Sequence, residues 1–246
     1  MYWQSVKKIP NLYDDVVHIW RIDIRSLDQC YNRLEKLLLA DEIKRADRFV
    51  FPQGRAMFVL SRGILRYLLS VYLKRNVNDI EFCHNSYGKP RLCDDGLFFN
   101  LSHSNDLILI SFSARCDLGI DVEYMKSGID FVGIAKRYFS LYEINQLEGF
   151  VGEDLCRAFY RCWSRKESFL KALGVGLAHN LKNFDVNVAD GSENLLKDVR
   201  EPVIDWHNWQ MLDLSIDVDY AAALTIAGAC VDVQGRVFSP NLLGEL

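Results

Sequence analysis

At 246 residues, half of them hydrophobic and a quarter charged, the chain can bury a full core as one large domain or two small ones, and its composition is not that of a disordered polymer. A net charge of -4 supplies no basic field of the kind that holds nucleic acid, so any anionic ligand must be met by a local cluster. The seven cysteines, Cys30, Cys83, Cys93, Cys116, Cys156, Cys162 and Cys230, are scattered with no CxxC pair, which argues against a disulfide framework and against a structural zinc.

The first residues, MYWQSVKKIP, lack a signal-peptide pattern, and no window approaches about 18 uninterrupted apolar residues. A cytoplasmic protein with no membrane partner is expected. The run VVHIWRIDI (16–24) reads as a strand, LDQCYNRLEKLL and DEIKRADRFV as helices, and QGRAMFVLSRGILRYLLSVYL as a long helix with Phe58, Leu60, Ile64, Leu65, Leu68 and Leu69 at helical spacing. From Asp79 the texture changes to short apolar runs broken by turns: DIEFCH, SYGKPRL, LFFNLSHS and DLILISFSA.

The second half repeats this order. CRAFYRCWSRKESFLKALG reads as a helix closed by Gly174 and Gly176, followed by the strand-like NFDVNV, NWQMLDLSI and YAAALTIAGACV. SRGILRYLL and SRKESFLKAL lie about 103 residues apart. The expected fold class is therefore α+β, built as two similar halves, 1–117 and 118–246, with a ligand site in the cleft between them.

At the head of the second half stands LGIDVE (118–123). In an extended chain Ile120 and Val122 share one face while Asp121 and Glu123 share the other, their Cα atoms roughly 6.5 Å apart. Such a pair either faces water or holds a cation such as magnesium, and the alternation alone favours a solvated face. In the following helix Cys156, Phe159, Trp163, Leu170 and Leu173 form an apolar stripe, and Glu167 falls on it with Lys171 one turn beyond. An ordinary surface Glu–Lys pair is the simpler account. Yet a carboxylate at the margin of a buried face requires a partner, and a metal or a substrate would serve as well as a lysine.

The run NLSHS (100–104) brackets His103 with two serines beside SYGKP and its Lys89. With no GxSxG elbow a serine hydrolase is unsupported; a lone histidine is commonly structural, but this density of donors also suits phosphate oxygens.

Four motifs in this order and spacing, YGKP (87–90), FNLSHS (99–104), GIDVE (119–123) and WSRKESFLKALGVGL (163–177), resemble the Sfp-type 4'-phosphopantetheinyl transferases, from about Asp41 to about Ala227. The length resembles that two-lobed type better than the single-half holo-acyl-carrier-protein synthases, which assemble as trimers. The resemblance implies Mg²⁺-dependent transfer of phosphopantetheine from coenzyme A to a serine of an apo acyl or peptidyl carrier protein, leaving adenosine 3',5'-bisphosphate.

It also implies roles. Asp121, Glu123 and Glu167 are the expected magnesium carboxylates; Glu167 is the expected base, with Lys171 at the leaving phosphate. His103 and Ser102 are expected at the diphosphate, Gly88, Lys89 and Pro90 along the adenine and phosphate side, Lys166 at a phosphate, and Arg45 and Arg48 at the 3'-phosphate. Some relatives lack an acid at Glu123. Glu143 matches a family acid near the site without an assigned role. The acidic helix of a carrier protein is expected to meet a basic and apolar patch between Ser127 and Gly152, and a chain that contains both halves of its own cleft is expected to be a monomer.

Two other readings stay open at this point. A non-catalytic coenzyme A or carrier-binding module would be marked by loss of Glu167, Lys171 or Asp121, and all three are present. A different phosphotransferase would need a phosphate-cradling glycine loop, and neither a GxxxxGK[ST] nor a kinase-type loop occurs.

Overall fold

The computed structural model describes residues 2–94, 96–176, 180–192, 195–200, 205–228 and 232–244. In chain order, β1 (Trp3–Ser5) and β2 (Val16–Asp23) lead into α1 (Tyr31–Glu35), α2 (Ala40–Ala46) and α3 (Pro52–Leu73). Next come β3 (Phe82–His84), β4 (Pro90–Leu92), β5 (Phe98–Ser104), β6 (Leu107–Ser113) and β7 (Leu118–Tyr124). A second helical group, α4 (Phe131–Tyr138), α5 (Leu141–Leu147) and α6 (Gly152–Leu173), precedes β8 (Phe184–Val186), β9 (Leu196–Val199), β10 (Trp209–Asp213), β11 (Tyr220–Ala227) and β12 (Asp232–Val237).

Strand alternation sorts these elements into layers. On β2 and β6, Trp20, Ile22, Ile108, Ile110 and Phe112 face α3 and its Ile64, Leu65, Leu68 and Leu69. The alternate residues Val17, Ile19, Leu107 and Leu109 face the other way and meet Ile120, Val122, Leu224 and Ile226 of β7 and β11. The five-stranded sheet β1-β12-β2-β6-β5 and the three-stranded sheet β10-β11-β7 thus pack against each other, each covered outside by one long helix. Helix α3 is long and apolar enough by composition to cross a membrane, but its apolar face forms the core of the first half.

The duplication is visible in detail. The short helices α2 and α5 both have 7 residues, and the long helices α3 and α6 both have 22. In the first half the Leu39 amide donates to Glu42 Oε2, which also accepts from Arg66 Nε on α3 at 2.5 Å. In the second half the Ser140 amide donates to Glu143 Oε2, and Glu143 Oε1 accepts from Lys166 Nζ on α6 at 2.5 Å. One device, an acid that caps its own helix and ties it to a buried cation on the long helix, occurs twice. The last strand returns to the first half: β12 lies between β1 and β2, and Phe238, Leu242 and Leu243 pack in the first core.

The scattered cysteines, which argue against a disulfide framework, nonetheless include one bonded pair. Cys83 and Cys93 are bonded, with Cα atoms 5.0 Å apart, across the β3–β4 hairpin. The ten-residue separation resembles no metal or redox motif in sequence; only the hairpin folding back brings the two thiols together. Cys30, Cys116, Cys156 and Cys162 are free, and Cys230 lies outside the described residues.

Candidate active site

The site forms where β5, β7 and α6 meet. With Ile120 and Val122 committed to the core between the sheets, Asp121 and Glu123 turn toward α6. Gly119 makes the approach possible: a Cβ there would stand 2.2 Å from both Ser168 O and Ala172 N of the helix. Backbone-to-backbone packing of this kind brings the acids of the strand over Glu167 and Lys171.

Strand β5 borders β7 through side chains instead of a backbone ladder. Asn100 Oδ1 accepts the Ile120 amide at 2.9 Å, Ser102 Oγ the Val122 amide at 3.3 Å, and Ser104 Oγ the Tyr124 amide at 3.0 Å. The same hydroxyls donate onward, Ser102 to Asp121 Oδ1 at 3.1 Å and Ser104 to Glu123 Oε2 at 3.1 Å. Each serine therefore holds the strand and orients one acid. The alternation Asn100, Ser102, Ser104 is the sequence signal for this joining role, which the reading of His103 alone does not contain.

Asp121 is buried, 2% exposed, so the simpler expectation of a solvated strand face does not hold at this residue. Lys171 Nζ reaches Asp121 Oδ1 at 2.6 Å and Ser102 Oγ at 2.8 Å. Two carboxylate oxygens, Asp121 Oδ2 and Glu167 Oε1, are buried with no hydrogen-bond partner. Burial, then the Asp121 carboxylate, push Glu167 up to about 7 against the opposing pull of Lys171. Burial and Asp121 raise Glu123 as well, while Ser104 and Lys171 oppose the shift.

These residues fit a hard cation: buried carboxylate oxygens without partners are the environment that a divalent ion relieves. Among the described residues no group of three or more His, Cys, Asp or Glu side chains is gathered closely enough to form a ready-made cage. Magnesium requires no such cage, since it binds through one or two carboxylates together with waters and substrate phosphates.

The remaining expected residues divide. His103 lies beside the cleft, where burial and then the Lys171 ammonium hold its imidazole below the ordinary value. Gly88 takes φ 89° at the tip of the β3–β4 hairpin, and Pro90 begins β4. Lys89 is turned to the protein: its ammonium donates to Ala172 O at 2.9 Å, Leu118 O at 3.2 Å and Asp117 Oδ1 at 3.1 Å. Lys166 requires a correction. Instead of meeting phosphate it is fully buried, bonded to Glu143 and to Phe184 O at 2.8 Å, because its position on α6 points into the second core and away from Glu167. That pair also gives Glu143 its place.

Arg45 lies over the Phe58 ring at 5.3 Å, at a cavity of about 250 Å³ that Arg62 and His84 also line. Arg48, just beyond the end of α2, is exposed. Arg62, which the sequence reading passed over as part of a core helix, stacks on Phe82 at 4.5 Å and keeps Nη1 buried and unpaired. Leu177, the last residue of the long helix motif, lies outside the described residues.

Two α+β halves with an acid-and-lysine cleft between them define a duplicated transferase fold. Residues 117–225 match the family model described as 4'-phosphopantetheinyl transferase superfamily, and residues 25–115 match that described as 4'-phosphopantetheinyl transferase, N-terminal. The chain is 36% identical over 227 residues to the 4'-phosphopantetheinyl transferase HetI of Nostoc sp., covering 90% of this chain and 92% of that protein. It is 31% identical over 182 residues to the 4'-phosphopantetheinyl transferase Sfp of Bacillus subtilis, covering 72% and 80%. It is also 31% identical over 184 residues to the L-aminoadipate-semialdehyde dehydrogenase-phosphopantetheinyl transferase of Pongo abelii, covering 69% and 55%. The chain belongs to the 4'-phosphopantetheinyl transferase family.

Proposed function

We propose that the protein transfers 4'-phosphopantetheine from coenzyme A to a serine of an apo acyl or peptidyl carrier protein, giving the holo carrier and adenosine 3',5'-bisphosphate, with Mg²⁺ as cofactor. The observation that carries this reading is the convergence of Asp121, Glu167 and Lys171, with one carboxylate oxygen of each acid buried and unpaired.

Asp121 and Glu167 would hold the metal, with Glu123 behind them through Ser104; the ion would neutralise the coenzyme diphosphate and fix its orientation. Glu167, raised to about 7 in the protein alone, would take the proton from the attacking carrier serine, directly or through a water. Lys171 would exchange its contact with Asp121 Oδ1 for the oxygen of the leaving phosphate and stabilise the charge that gathers there. His103 would donate to the diphosphate, and the turn of residues 87–90 would border the adenine, with Arg45 toward the 3'-phosphate.

The carrier would dock beside α4 and α5, where Val132, Leu141 and Val151 are 50%, 79% and 80% exposed and Lys136 and Arg137 supply positive charge at the end of α4. We place the protein in the cytoplasm and as a monomer, since both halves of the cleft belong to one chain.

Intact-mass spectrometry of an apo carrier protein incubated with this protein, coenzyme A and Mg²⁺ tests the reading. One added phosphopantetheine mass, lost when EDTA is present, is the expected result. Several unrelated carriers left unmodified by a protein that still binds coenzyme A would favour a binding module.

A further inference from the structure

The β3–β4 hairpin stands apart from both main sheets as a two-stranded unit of three residue pairs, Phe82↔Leu92, Cys83↔Arg91 and His84↔Pro90. An isolated ladder of this length is marginal in water. Its tip is ordered by Asn85, whose Oδ1 accepts the amides of Tyr87 at 3.0 Å and Lys89 at 2.9 Å. The tip is then pinned to the other half: Asn85 Nδ2 donates to Gly174 O at 2.7 Å, and Lys89 Nζ donates to Ala172 O, the residue after Lys171, and to Leu118 O, three residues before Asp121. The hairpin thus lies between two cavities, one lined by Arg45, Arg62 and His84 and the other by Lys89, Pro90 and Asp117, and touches β7 and the end of α6, which carry Asp121, Glu167 and Lys171.

The open end of this unit is closed by the Cys83–Cys93 disulfide, while the other described cysteines remain thiols. Cys93 is exposed and Cys83 half-buried, so Cys93 is the more accessible of the pair to a thiol from solvent. Exposed disulfides are the ones that exchange with thiols.

We propose that Cys83–Cys93 is a thiol–disulfide exchange site that sets coenzyme affinity through the hairpin, with a dithiol oxidoreductase or a small cellular thiol as its partner. A partner thiolate attacks Cys93 Sγ, the protein S–S bond breaks, and Cys83 leaves as a thiolate that takes up a proton. A second partner thiolate then attacks the mixed disulfide, releasing Cys93 as a thiol; the partner departs as its disulfide, so two electrons pass to the protein. In the oxidised state the hairpin is held in the form that presents residues 87–90. In the reduced state the short ladder frays, and the contacts of Asn85 and Lys89 with the second half are made less of the time. The proposal rests on the coenzyme A reading of the hairpin.

The test uses the full chain in two states, air-oxidised and treated with a phosphine reductant, with thiols counted by alkylation and mass mapping. Calorimetry with adenosine 3',5'-bisphosphate as the probe then gives the affinity of each state. Cys83 and Cys93 are expected to label only after reduction, and reduction is expected to weaken binding roughly five- to tenfold, the size of an ordinary coupling between sites. Cys83→Ser should bind like the reduced protein and be indifferent to reductant; reduction of the unaltered protein gives the answer should that variant fold poorly. Equal affinity in the two states, or free thiols at both positions in the oxidised protein, overturns the exchange site alone. Absence of binding in both states, together with no carrier modification, overturns the transferase reading and the proposal with it.

Discussion

Lys171 Nζ lies 2.6 Å from Asp121 Oδ1, one residue on the last turn of α6 and the other on the strand that packs against it. The lysine satisfies one oxygen of the acid and leaves Oδ2 of Asp121 and Oε1 of Glu167 unpaired. Buried carboxylates in this state are costly to the fold and serve it poorly. Their removal should therefore cost activity and not stability. Glu167→Gln is expected to lower carrier modification by about 10²- to 10⁴-fold, the usual contribution of a positioned base, with Tm unchanged or raised. Asp121→Asn should act in the same direction. Rates of phosphopantetheine transfer by intact mass, read beside thermal melts, decide this; a variant that melts early with normal turnover per folded molecule would make the residue structural.

The close approach of β7 to α6 gives a second expectation. A methyl group at position 119 would meet two backbone atoms of α6 at 2.2 Å, and backbone cannot rotate away as a side chain can. Gly119→Ala is expected to destabilise by about 3 kcal/mol, at the upper end of ordinary overpacking, and to reduce turnover further than stability alone explains because strand and helix are forced apart. Urea unfolding with transfer kinetics under native conditions separates the two effects. Full activity in the variant would mean that the acids and Glu167 need not stand so close.

Periodicity made much of this legible. The long helices, the strands from Phe98 to Tyr124 and the placing of Asp121 and Glu123 on the face opposite Ile120 and Val122 all follow from spacing that core packing then enforces. What escaped was set by contacts distant in sequence. Helices α4 and α5 are short and mixed in polarity, and β12 is a weak run, VQGRV, that becomes a strand between β1 and β2, where Gly235 packs under Trp3. Helical spacing turns Lys166 about 100° away from Glu167, but that this face is buried against Glu143 follows only from the packing of the second core. The disulfide escaped for the same reason, since ten residues of separation have no meaning before the hairpin forms.

Lys166 and Glu143 are expected to behave in the opposite way to Glu167. Glu143 is fully buried; burial pushes its carboxyl up, Lys166 opposes the shift, and its oxygens also take the Val186 and Ser140 amides. Removing one partner strands the other in the second core. Lys166→Met should cost about 3–5 kcal/mol. Adding Glu143→Gln, whose single amide oxygen keeps one of the two backbone contacts without the charge, should restore part of that loss. A double-mutant cycle in urea measures the coupling. If Lys166→Met melted normally and lost only coenzyme binding, the original expectation of a phosphate contact would return.

His18 carries the pH dependence of the first core. Its ring is 1% exposed, and Nδ1 is 2.8 Å from the Tyr72 hydroxyl, which accepts from Trp20 Nε1 at 2.8 Å. With that acceptor position used, Tyr72 O–H is free to donate to a neutral His18. Burial, then the charge of Arg236, lower the imidazole to about 4, against Gln234 and Asp232, which pull the other way. The unfolded chain takes up this proton as pH falls through about 6.5. The folded protein refuses it until about 4, so stability is intact above the higher value and is lost on acidification between the two. The full loss from this group is about 3 kcal/mol. His18→Gln should flatten that part of the profile even where it lowers stability at neutral pH. Urea midpoints of both proteins between pH 7 and pH 4, plotted as a difference, isolate the group; parallel curves would show that folded His18 takes up its proton over the same pH range as the unfolded chain.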